Sequence, residues 1–244
     1  MKFAILAAGE GSRLAEEGID VPKPLVEING EPLLHRLIRI FMMCDAEEIY
    51  VITNDLAPYT ERALQSLAAA GLPVKYIVKT TPSSMHSFYE LHTLLGKGKF
   101  CLTTVDTIFR EEEFRAFIRD FEQSEEDGLM AVTDYIDDEK PLYISTDSEM
   151  CINGFHDTLQ QYEEALPLLG ASTECKYISG GIYCLSDKAF PTLERCVENG
   201  QSRMRNFQRA LVADGLCLKA CVFSKILDVD HAEDIIKAEK FLAE

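Results

Sequence analysis

The feature that most constrains this chain is its opening, residues 2–25, which predicts a buried strand, a glycine loop and a rigid turn. Lys2–Ala7 reads K-F-A-I-L-A, which is apolar enough for a strand that is buried on both faces. Gly9 and Gly11 follow at once and bracket a single residue. Glycine accepts positive φ and lets a backbone approach a ligand closely, so the successive N–H groups of this turn can form a concavity that binds an anion.

Two basic side chains follow the glycines. Arg13 comes directly after them, and a guanidinium can hold a phosphate through two hydrogen bonds. Lys23 lies between Pro22 and Pro24, which stiffen the backbone on both sides. The stretch is not a P-loop, because it lacks G-x-x-x-x-G-K-[ST], and it is not the dinucleotide fingerprint, because Leu14 replaces the third glycine. The glycines taken alone are equally consistent with a simple tight turn.

The first half of the chain alternates between strand and helix patterns. The predicted strands are 2–7, 48–53, 74–78, 99–104 and 129–135, and the predicted helices are 31–44, 58–70, 83–95 and 111–123. This alternation with short joins predicts a Rossmann-like, three-layer α/β/α fold with a mixed, mainly parallel sheet. In such sheets ligands bind beyond the carboxyl ends of the strands, where the glycine loop and Asp106 fall.

The rhythm changes after residue 135. Short strands are predicted at 142–145, 177–185, 216–223 and 225–229, and helices at 159–169, 187–198, 202–213 and 231–242. Residues 136–185 contain the least regular pattern, and no linker or low-complexity tract separates them from the rest. We therefore expect one domain over 1–244, with 136–185 as an insertion within it that covers the edge of the sheet.

Composition limits the classes of partner. The formal net charge of −17 argues against nucleic-acid binding and against docking on an anionic membrane, because both depend on basic residues. No apolar run approaches the ~20 residues of a membrane span, and the N-terminus lacks the pattern of a signal peptide. The eight cysteines are scattered without a C-x-x-C pair, which predicts reduced thiols in a cytoplasmic protein.

Three aspartates stand out as candidate metal ligands. Asp106 ends a buried strand, and the next predicted helix begins too late for simple capping. Asp228 and Asp230 alternate along an extended segment and so share one face. Carboxylate oxygens suit a hard cation such as Mg²⁺. The alternative for Asp230 is an N-cap of the last helix.

The opening motifs also carry a family resemblance. Residues 6–14 (L-A-A-G-E-G-S-R-L), 22–25 (P-K-P-L) and 30–34 (G-E-P-L-L) resemble the signature of the nucleotidyltransferases that make nucleotide-activated sugars and alcohols. The resemblance implies the nucleotide-diphospho-sugar transferase fold. It also implies Mg²⁺-dependent transfer of a nucleotidyl group from a nucleoside triphosphate to a sugar 1-phosphate or a small alcohol phosphate, with release of pyrophosphate. The sequence does not define the oligomeric state, and a homo-oligomer is one arrangement that it allows.

The resemblance assigns roles to residues of this chain. It implies a nucleotide site formed by Leu6, Ala7, Ala8, Gly9, Glu10, Gly11, Ser12, Arg13, Thr80, Thr81 and Ser84. Arg13 and Lys23 become the catalytic cations, and Asp106 with Asp228 or Asp230 becomes the Mg²⁺ site. The alternative role for the hydroxyl residues near 80–84 is helix capping alone.

The acceptor side is less well defined by the resemblance. Gly180 and Lys176 are the predicted acceptor contacts, and a simple β-bulge is the alternative for Gly180. Arg203 and Arg205 are further candidate cations, and a surface position is the alternative for both arginines and for Lys176. Residues 84–87 (S-M-H-S) look closer to the branch that activates choline phosphate or inositol phosphate.

The chain departs from the family pattern at two places. Val105 stands where many members have a glycine before the aspartate, and the Glu-Lys-Pro that the family usually has on the acceptor side appears only as Glu139-Lys140-Pro141. Two rival functions are transfer to a molybdenum cofactor and a catalytically silent, nucleotide-sensing subunit. The silent subunit predicts loss of the loop arginine, the lysine or the metal aspartates, all of which are present.

Overall fold

The computed structural model describes residues 1–137, 139–169 and 176–244. The strands are β1 (Lys2–Ala7), β2 (Glu27–Ile28), β3 (Glu31–Pro32), β4 (Glu48–Thr53), β5 (Val74–Val78), β6 (Lys99–Thr104), β7 (Thr107–Ile108), β8 (Gly128–Thr133), β9 (Tyr143–Thr146), β10 (Ile152–His156), β11 (Tyr177–Ser186), β12 (Leu218–Val222) and β13 (Leu227–Asp228). The α-helices are α1 (Ser12–Glu16), α2 (Leu33–Met42), α3 (Pro58–Ala69), α4 (Ser84–Leu95), α5 (Glu111–Gln123), α6 (Leu159–Leu169), α7 (Phe190–Glu198), α8 (Met204–Ala213) and α9 (Ala232–Ala243).

In the described part of the chain the main sheet has nine strands and contains both parallel and antiparallel pairs. Strands β5, β4, β1 and β6 lie side by side and run parallel. The long strand β11 continues the sheet beyond β6 in the antiparallel sense and also pairs with β8 and β9. The chain leaves β1 toward β4 on one side and returns to β6 on the other. The carboxyl ends of β1 and β6 therefore flank a topological switch point, where such sheets bind ligands.

Two hydrophobic cores cover the two faces of this sheet. The alternating side chains of β1 divide between them, with Phe3 and Ile5 in one core and Ala4 and Leu6 in the other. On the first face Phe3 stacks on Phe41 of α2 at a centroid distance of 4.5 Å. This burial on both faces is what the continuous apolar run of β1 predicts, because a strand covered on one side only would alternate with polar residues.

The central elements of the first half match the sequence expectations closely, and the differences have local causes. The helix expected at 31–44 begins at Leu33, because Glu31–Pro32 pairs with Glu27–Ile28 in a hairpin. Asn29 and Gly30, both at positive φ, form its turn. The segment expected to be a strand at 225–229 is reduced to Leu227–Asp228, paired with β7.

The segment 136–185 supplies strands to the main sheet. Its strands β9 and β10 form the edge beside β11. The segment includes residues 138 and 170–175, which lie outside the described part of the chain. Strand β10 was not expected from the sequence, because Asn153 and Gly154 interrupt its apolar pattern. A Cβ at Gly154 would lie 2.8 Å from Ser145 Oγ, so close packing of the two edge strands requires the glycine.

Within the described residues no helix is both long and apolar enough to cross a bilayer. The seven cysteines in those residues carry free thiols. The eighth, Cys175, lies outside them.

Candidate active site

The glycine loop and Asp106 meet because β1 and β6 are neighbours in register. Leu6 pairs with Thr104 across the two strands. One residue further on, the Val105 N–H donates to the Leu6 carbonyl at 3.1 Å. The loop after β1 and the carboxylate after β6 consequently emerge side by side at the same edge of the sheet.

Asp230 joins them from the far end of the chain. The two-residue strands β7 and β13 pair so that Asp228 lies opposite Thr107. Beyond this ribbon the Val229 N–H donates to the Asp106 carbonyl at 3.1 Å. The strand pairing and this hydrogen bond together fix the backbone before Asp230 directly beside the backbone of Asp106.

Lys23 connects the two carboxylates. It begins a short 3-10 turn, Lys23–Leu25, and the φ of −54° at Pro22 fixes the approach to this turn. Its Nζ forms ion pairs with Asp106 and, at 2.6 Å, with Asp230 Oδ1. The Lys23 side chain is only 10% exposed, so this ammonium is held among carboxylates rather than in solvent.

The charge state of Lys23 follows from these contacts. Burial alone would lower its pKa. The negative charges of Asp106 and then Asp230, with the hydrogen bonds to both, outweigh burial and raise the pKa well above its ordinary value. Lys23 is therefore an ammonium throughout the physiological pH range.

Arg13 extends the same cluster toward the surface. It lies on α1, and its Nη1 donates to Asp230 Oδ2 at 3.0 Å. Its Nη2 lies 3.7 Å from Glu139 Oε2. Asp230 thus binds a different cation with each of its oxygens. Its backbone N–H donates to Asp234 Oδ2 at 3.2 Å, and His231 occupies the N-cap of α9. The N-cap alternative for Asp230 is therefore wrong.

The glycine loop is shaped by Asn54, which sequence reasoning did not identify. Asn54 is buried at the end of β4, and its Nδ2 donates to the carbonyls of Ala8 and Gly9 at 3.3 and 3.1 Å. In a trans peptide the N–H points away from the carbonyl, so the N–H groups of Gly9 and Glu10 face the opposite direction. Within the described part of the chain, these N–H groups donate to no other residue.

Gly11 has its own steric requirement. Its φ is +64°, and an added Cβ would lie 3.1 Å from Lys23 Cβ. The close approach of the loop to Lys23 therefore depends on glycine at this position.

A cavity of about 450 Å³ opens in front of this cluster. It is lined by Leu6, Ala8, Gly9, Glu10, Gly11, Ser12, Arg13, Lys23, Pro24, Thr81, Pro82, Ser83, Ser84, Ser87, Thr104, Val105, Asp106 and Asp230. The structure thus places most of the predicted nucleotide residues on one concave surface. Two predicted residues are not on this surface: Ala7 is buried in the core, and the Thr80 hydroxyl instead bonds to Asp55.

The hydroxyl residues near α4 line the cavity opposite the loop. The Thr81 and Ser87 hydroxyls bond to each other at 2.6 Å, and Ser83 is the N-cap residue of α4. Among the described residues no side chain caps the first N–H groups of α4, so capping alone does not account for these residues. The positive end of the α4 dipole faces the cavity.

A second cavity of about 350 Å³ adjoins the first and shares Ser84, Thr104, Asp106 and Asp230 with it. Three basic residues line it: Lys140, Arg203 and Arg205. Arg205 donates to Asp157 Oδ1 at 2.6 Å. Arg203 has a φ of +73°, which is unusual for a side chain of its size. Both arginines thus lie at the site rather than on a remote surface.

Tyr183 also lines the second cavity and was missed by sequence reasoning. Burial raises the pKa of its hydroxyl to about 12, so the hydroxyl remains a hydrogen-bond donor. Beside it the buried Gln208 donates from Nε2 to Ser179 Oγ at 3.1 Å. The only sequence signal for these residues was their position on the predicted strand and helix next to Gly180.

Gly180 and Gly181 form a bulge in β11, where the register against β8 shifts between Ser179 and Tyr183. The space next to Gly180 is filled by Ile226, because an added Cβ would lie 2.2 Å from Ile226 Cδ1. Gly181 lines the second cavity, whereas Gly180 lines a neighbouring cavity of about 300 Å³ beside Asp228.

Lys176 does not join the cluster. Its Nζ pairs with Glu163 of α6 at 3.1 Å, and it lies on none of the three cavities described. Arg203 and Arg205 occupy the position on the second cavity that was expected for Lys176.

The carboxylates of this cluster are compatible with Mg²⁺ provided that water and substrate phosphates supply its remaining ligands. No group of three or more His, Cys, Asp or Glu side chains suited to a metal occurs in the described residues. Asp106 and Asp230 nevertheless converge on one cation, and Asp228 shares the second cavity with them. Mg²⁺ typically binds one or two carboxylates and takes its other ligands from water and substrate phosphates, which this arrangement allows.

The family described as MobA-like NTP transferase domain matches residues 3–214. The bifunctional IPC transferase and DIPP synthase of Aquifex aeolicus (strain VF5) is 26% identical over 243 residues, which are 98% of this chain and 51% of that protein. The glucose-1-phosphate thymidylyltransferase of Neisseria gonorrhoeae is 30% identical over 119 residues, which are 47% of this chain and 40% of that protein. The chain therefore spans about half the length of these relatives, or less.

Among solved structures, the inositol-1-phosphate CTP transferase from T. maritima superimposes with a TM-score of 0.77 at 17% identity. The match covers 100% of this chain and 96% of the other. At this level of identity the likeness establishes the fold, and it confirms the predicted α/β class.

Proposed function

Because the chain belongs to the MobA-like NTP transferase domain family, we propose that it transfers a nucleotidyl group from a nucleoside triphosphate to a sugar 1-phosphate or a small alcohol phosphate. Pyrophosphate is the second product. The observation that carries the proposal is the convergence of the glycine loop, Lys23, Asp106 and Asp230 at the mouth of one cavity. This cavity adjoins a second one that is lined by cations and is available to the acceptor.

The first cavity would hold the nucleoside triphosphate. The unpaired N–H groups of Gly9 and Glu10, together with Arg13, would bind the β- and γ-phosphates. Lys23 lies deeper and would stabilise the charge that develops at the α-phosphate. The hydroxyls of Thr81 and Ser84 and the N-terminus of α4 would contact the nucleoside from the opposite wall.

Asp106 and Asp230 would hold Mg²⁺, with Asp228 as a further candidate from the second cavity. The bound ion would neutralise charge on the α-phosphate and on the incoming phosphate. Two aspartates meeting at one ammonium support this assignment, because they already provide a pair of oxygen ligands for a cation.

The second cavity would hold the acceptor. Arg203 and Arg205 would bind its phosphate, and the Tyr183 hydroxyl would donate a hydrogen bond to the acceptor. The relatives support the class of acceptor, since their names refer to glucose 1-phosphate and inositol 1-phosphate. We take Gly181 rather than Gly180 as the backbone contact, because only Gly181 lines this cavity.

The chemistry needs no general base. An oxygen of the acceptor phosphate, already anionic, forms a bond with the α-phosphorus, and the bond from that phosphorus to the β-phosphate oxygen breaks. The difficulty is to bring two polyanions together, so catalysis depends on position and charge neutralisation. The protein would act in the cytoplasm, where its thiols stay reduced, and would need no membrane or nucleic acid.

The test is a pyrophosphate-release assay with Mg²⁺. It would cross ATP, CTP, GTP, UTP and dTTP with sugar 1-phosphates, phosphocholine and inositol 1-phosphate. Lys23→Ala and Asp106→Ala should lower kcat by about 10²–10³-fold, as expected when charge stabilisation is lost. Lys188→Ala is the matched control. Lys188 pairs with Asp127 at 2.6 Å and lies near the amino end of β6, away from the carboxyl end where the site lies.

Release with one substrate pair that both site variants abolish would establish the reaction. Nucleotide binding without release would favour the silent, nucleotide-sensing function. Failure to bind any of the five nucleotides would refute the assignment of the glycine loop.

A further inference from the structure

The cations assigned to phosphate and the carboxylates assigned to metal are bound to one another in this structure. Lys23 pairs with both Asp106 and Asp230, and Arg13 pairs with the second oxygen of Asp230 at 3.0 Å. Asp230 is therefore the shared partner, because each of its two oxygens binds one of the two cations. Lys23 and Asp106 are only 10% and 18% exposed, whereas Arg13 and Asp230 lie nearer the solvent, at 47% and 43%.

The balance of charge within this cluster has a direct consequence for binding. Lys23, Arg13, Asp106 and Asp230 together carry no net charge, and Glu139, 3.7 Å from Arg13, adds a negative charge on the outer side of the cluster. A metal-free triphosphate could form ion pairs with Lys23 and Arg13, but Asp106 and Asp230 would then lose their partners and repel it. A divalent cation alone could bind Asp106 and Asp230, but Lys23 and Arg13 would then lose their partners and repel it. Each ligand alone is opposed by like charges at short range.

We propose that Asp230 couples the two ligands through an exchange of ion pairs, so that nucleotide and divalent cation bind tightly only together. In the exchange, phosphate oxygens replace Asp230 at Lys23 and Arg13, and the metal replaces these cations at Asp230 and Asp106. This inference rests on the proposed function, because it uses the same nucleotide and metal positions. It adds a role for Asp230 in the resting protein, where Asp230 holds both cations.

The proposal makes an unusual prediction for Asp230→Asn. Loss of this charge removes the carboxylate that competes for Lys23 and Arg13 and that repels the triphosphate. Metal-free nucleotide should therefore bind about tenfold more tightly than it binds the wild type. Nucleotide with Mg²⁺ should bind about tenfold more weakly, because one metal ligand is lost. The dissociation constant in EDTA divided by that in Mg²⁺ should therefore be about 100-fold smaller than in the wild type, which is within the range of known coupling between ligands.

The measurement is calorimetric titration of the full chain with ATP, CTP, GTP, UTP and dTTP, once in EDTA and once in excess Mg²⁺. Asp214→Asn is the matched control, because Asp214 also binds a guanidinium, that of Arg195, at 2.6 Å and lines none of the three cavities. Its two dissociation constants should equal those of the wild type.

A second measurement needs no nucleotide and keeps the test valid if Asp230→Asn folds poorly. Mn²⁺ alone, followed by electron paramagnetic resonance, should bind Lys23→Met at least about tenfold more tightly than it binds the wild type, because Asp106 and Asp230 no longer share an ammonium. Lys188→Met serves as its control.

The outcomes separate this inference from the proposed function. Opposite changes in the two calorimetric conditions, or the gain of Mn²⁺ affinity, would support the exchange. Equal weakening by Asp230→Asn with and without Mg²⁺, or no gain of Mn²⁺ affinity, would overturn it while leaving nucleotide binding intact. If no nucleotide binds under either condition, the proposed function fails and this inference fails with it.

Discussion

The role of Gly180 can be decided by a substitution and its rescue. The sequence predicts an acceptor contact at Gly180, whereas the structure fills the space beside it with Ile226. An added Cβ would lie 2.2 Å from Ile226 Cδ1 and 3.2 Å from the Ala131 carbonyl. The φ of Gly180 is outside the left-handed region, so alanine is disfavoured by packing alone. Gly180→Ala should therefore act as an overpacking substitution in the core.

The expected magnitude follows from this contact. Overpacking of a well-packed interior costs about 1–3 kcal/mol in the free energy of unfolding. For a chain of this length each kcal/mol corresponds to roughly 2–4 °C in Tm. Ile226→Val removes the atom at 2.2 Å, so that the Ala131 carbonyl at 3.2 Å remains as a tight contact and Ile226 Cγ1 at 3.4 Å as an ordinary one. Alone, Ile226→Val should cost about 0.5–1.5 kcal/mol.

The double variant is the decisive measurement. Gly180→Ala with Ile226→Val should recover, in urea unfolding, most but not all of the stability that Gly180→Ala loses, because the contact with the Ala131 carbonyl at 3.2 Å remains, and it should keep its KM for the acceptor. Gly181→Ala is the control, because its φ of +72° produces strain that Ile226→Val does not relieve. If the double variant is as unstable as the sum of the single changes, the packing argument is refuted. If stability returns but the acceptor KM stays raised, Gly180 contacts the acceptor after all.

Three further predictions concern two residues that shape the glycine loop, Asn54 and Gly11, and Asp157, which pairs with Arg205 beside the second cavity. Asn54→Ala removes the donors that orient the Ala8 and Gly9 carbonyls, so the KM for nucleotide should rise about tenfold or more while the KM for acceptor stays unchanged in steady-state kinetics. Gly11→Ala should cost about 1–2 kcal/mol in urea unfolding because of its φ of +64°, and should lower kcat by displacing Lys23. Hydrogen bonds from Arg209 lower the pKa of Asp157 in the folded protein. This ion pair therefore stabilises the fold by about 1 kcal/mol or less, because the pair is exposed. The stabilisation is complete above the ordinary pKa of 3.8 and is lost as the pH falls through the lowered pKa of the folded protein. Comparison with Asp157→Asn in unfolding at several pH values checks this, and a constant difference down to acid pH would contradict it.

The elements of the first half could be predicted from sequence because each depends on local pattern. Strands β1, β4, β5 and β6 have the predicted bounds, since continuous apolar runs that end at polar residues are strong signals. The resemblance of the opening motifs to nucleotidyltransferases is confirmed by the family that matches residues 3–214. Strand β10 escaped prediction because its pairing with β9 depends on a contact between Gly154 and Ser145 that no local pattern reveals.

The cluster itself needed long-range information. Lys23 and Asp230 were each selected from the sequence. They lie 207 residues apart, so no local pattern predicts that their side chains pair. The choice between Asp228 and Asp230 remained open for the same reason, because alternation places both on one face and only tertiary contacts separate them. Arg203 was also hard to select, since its cavity position comes with a backbone conformation that sequence patterns do not predict for arginine.

The composition and the cluster together explain why a metal is expected in a chain of this kind. With a net charge of −17, the protein repels a triphosphate at long range. Local cations can offset this repulsion only where they are dense, yet Lys23 and Arg13 would repel each other if carboxylates did not separate them. In the resting protein Asp230 lies between the two cations and offsets their repulsion. The same carboxylate would repel a triphosphate that binds these cations. In the proposed exchange a divalent cation would bind Asp230 and remove this repulsion, so the acidic composition would itself favour joint binding of metal and nucleotide.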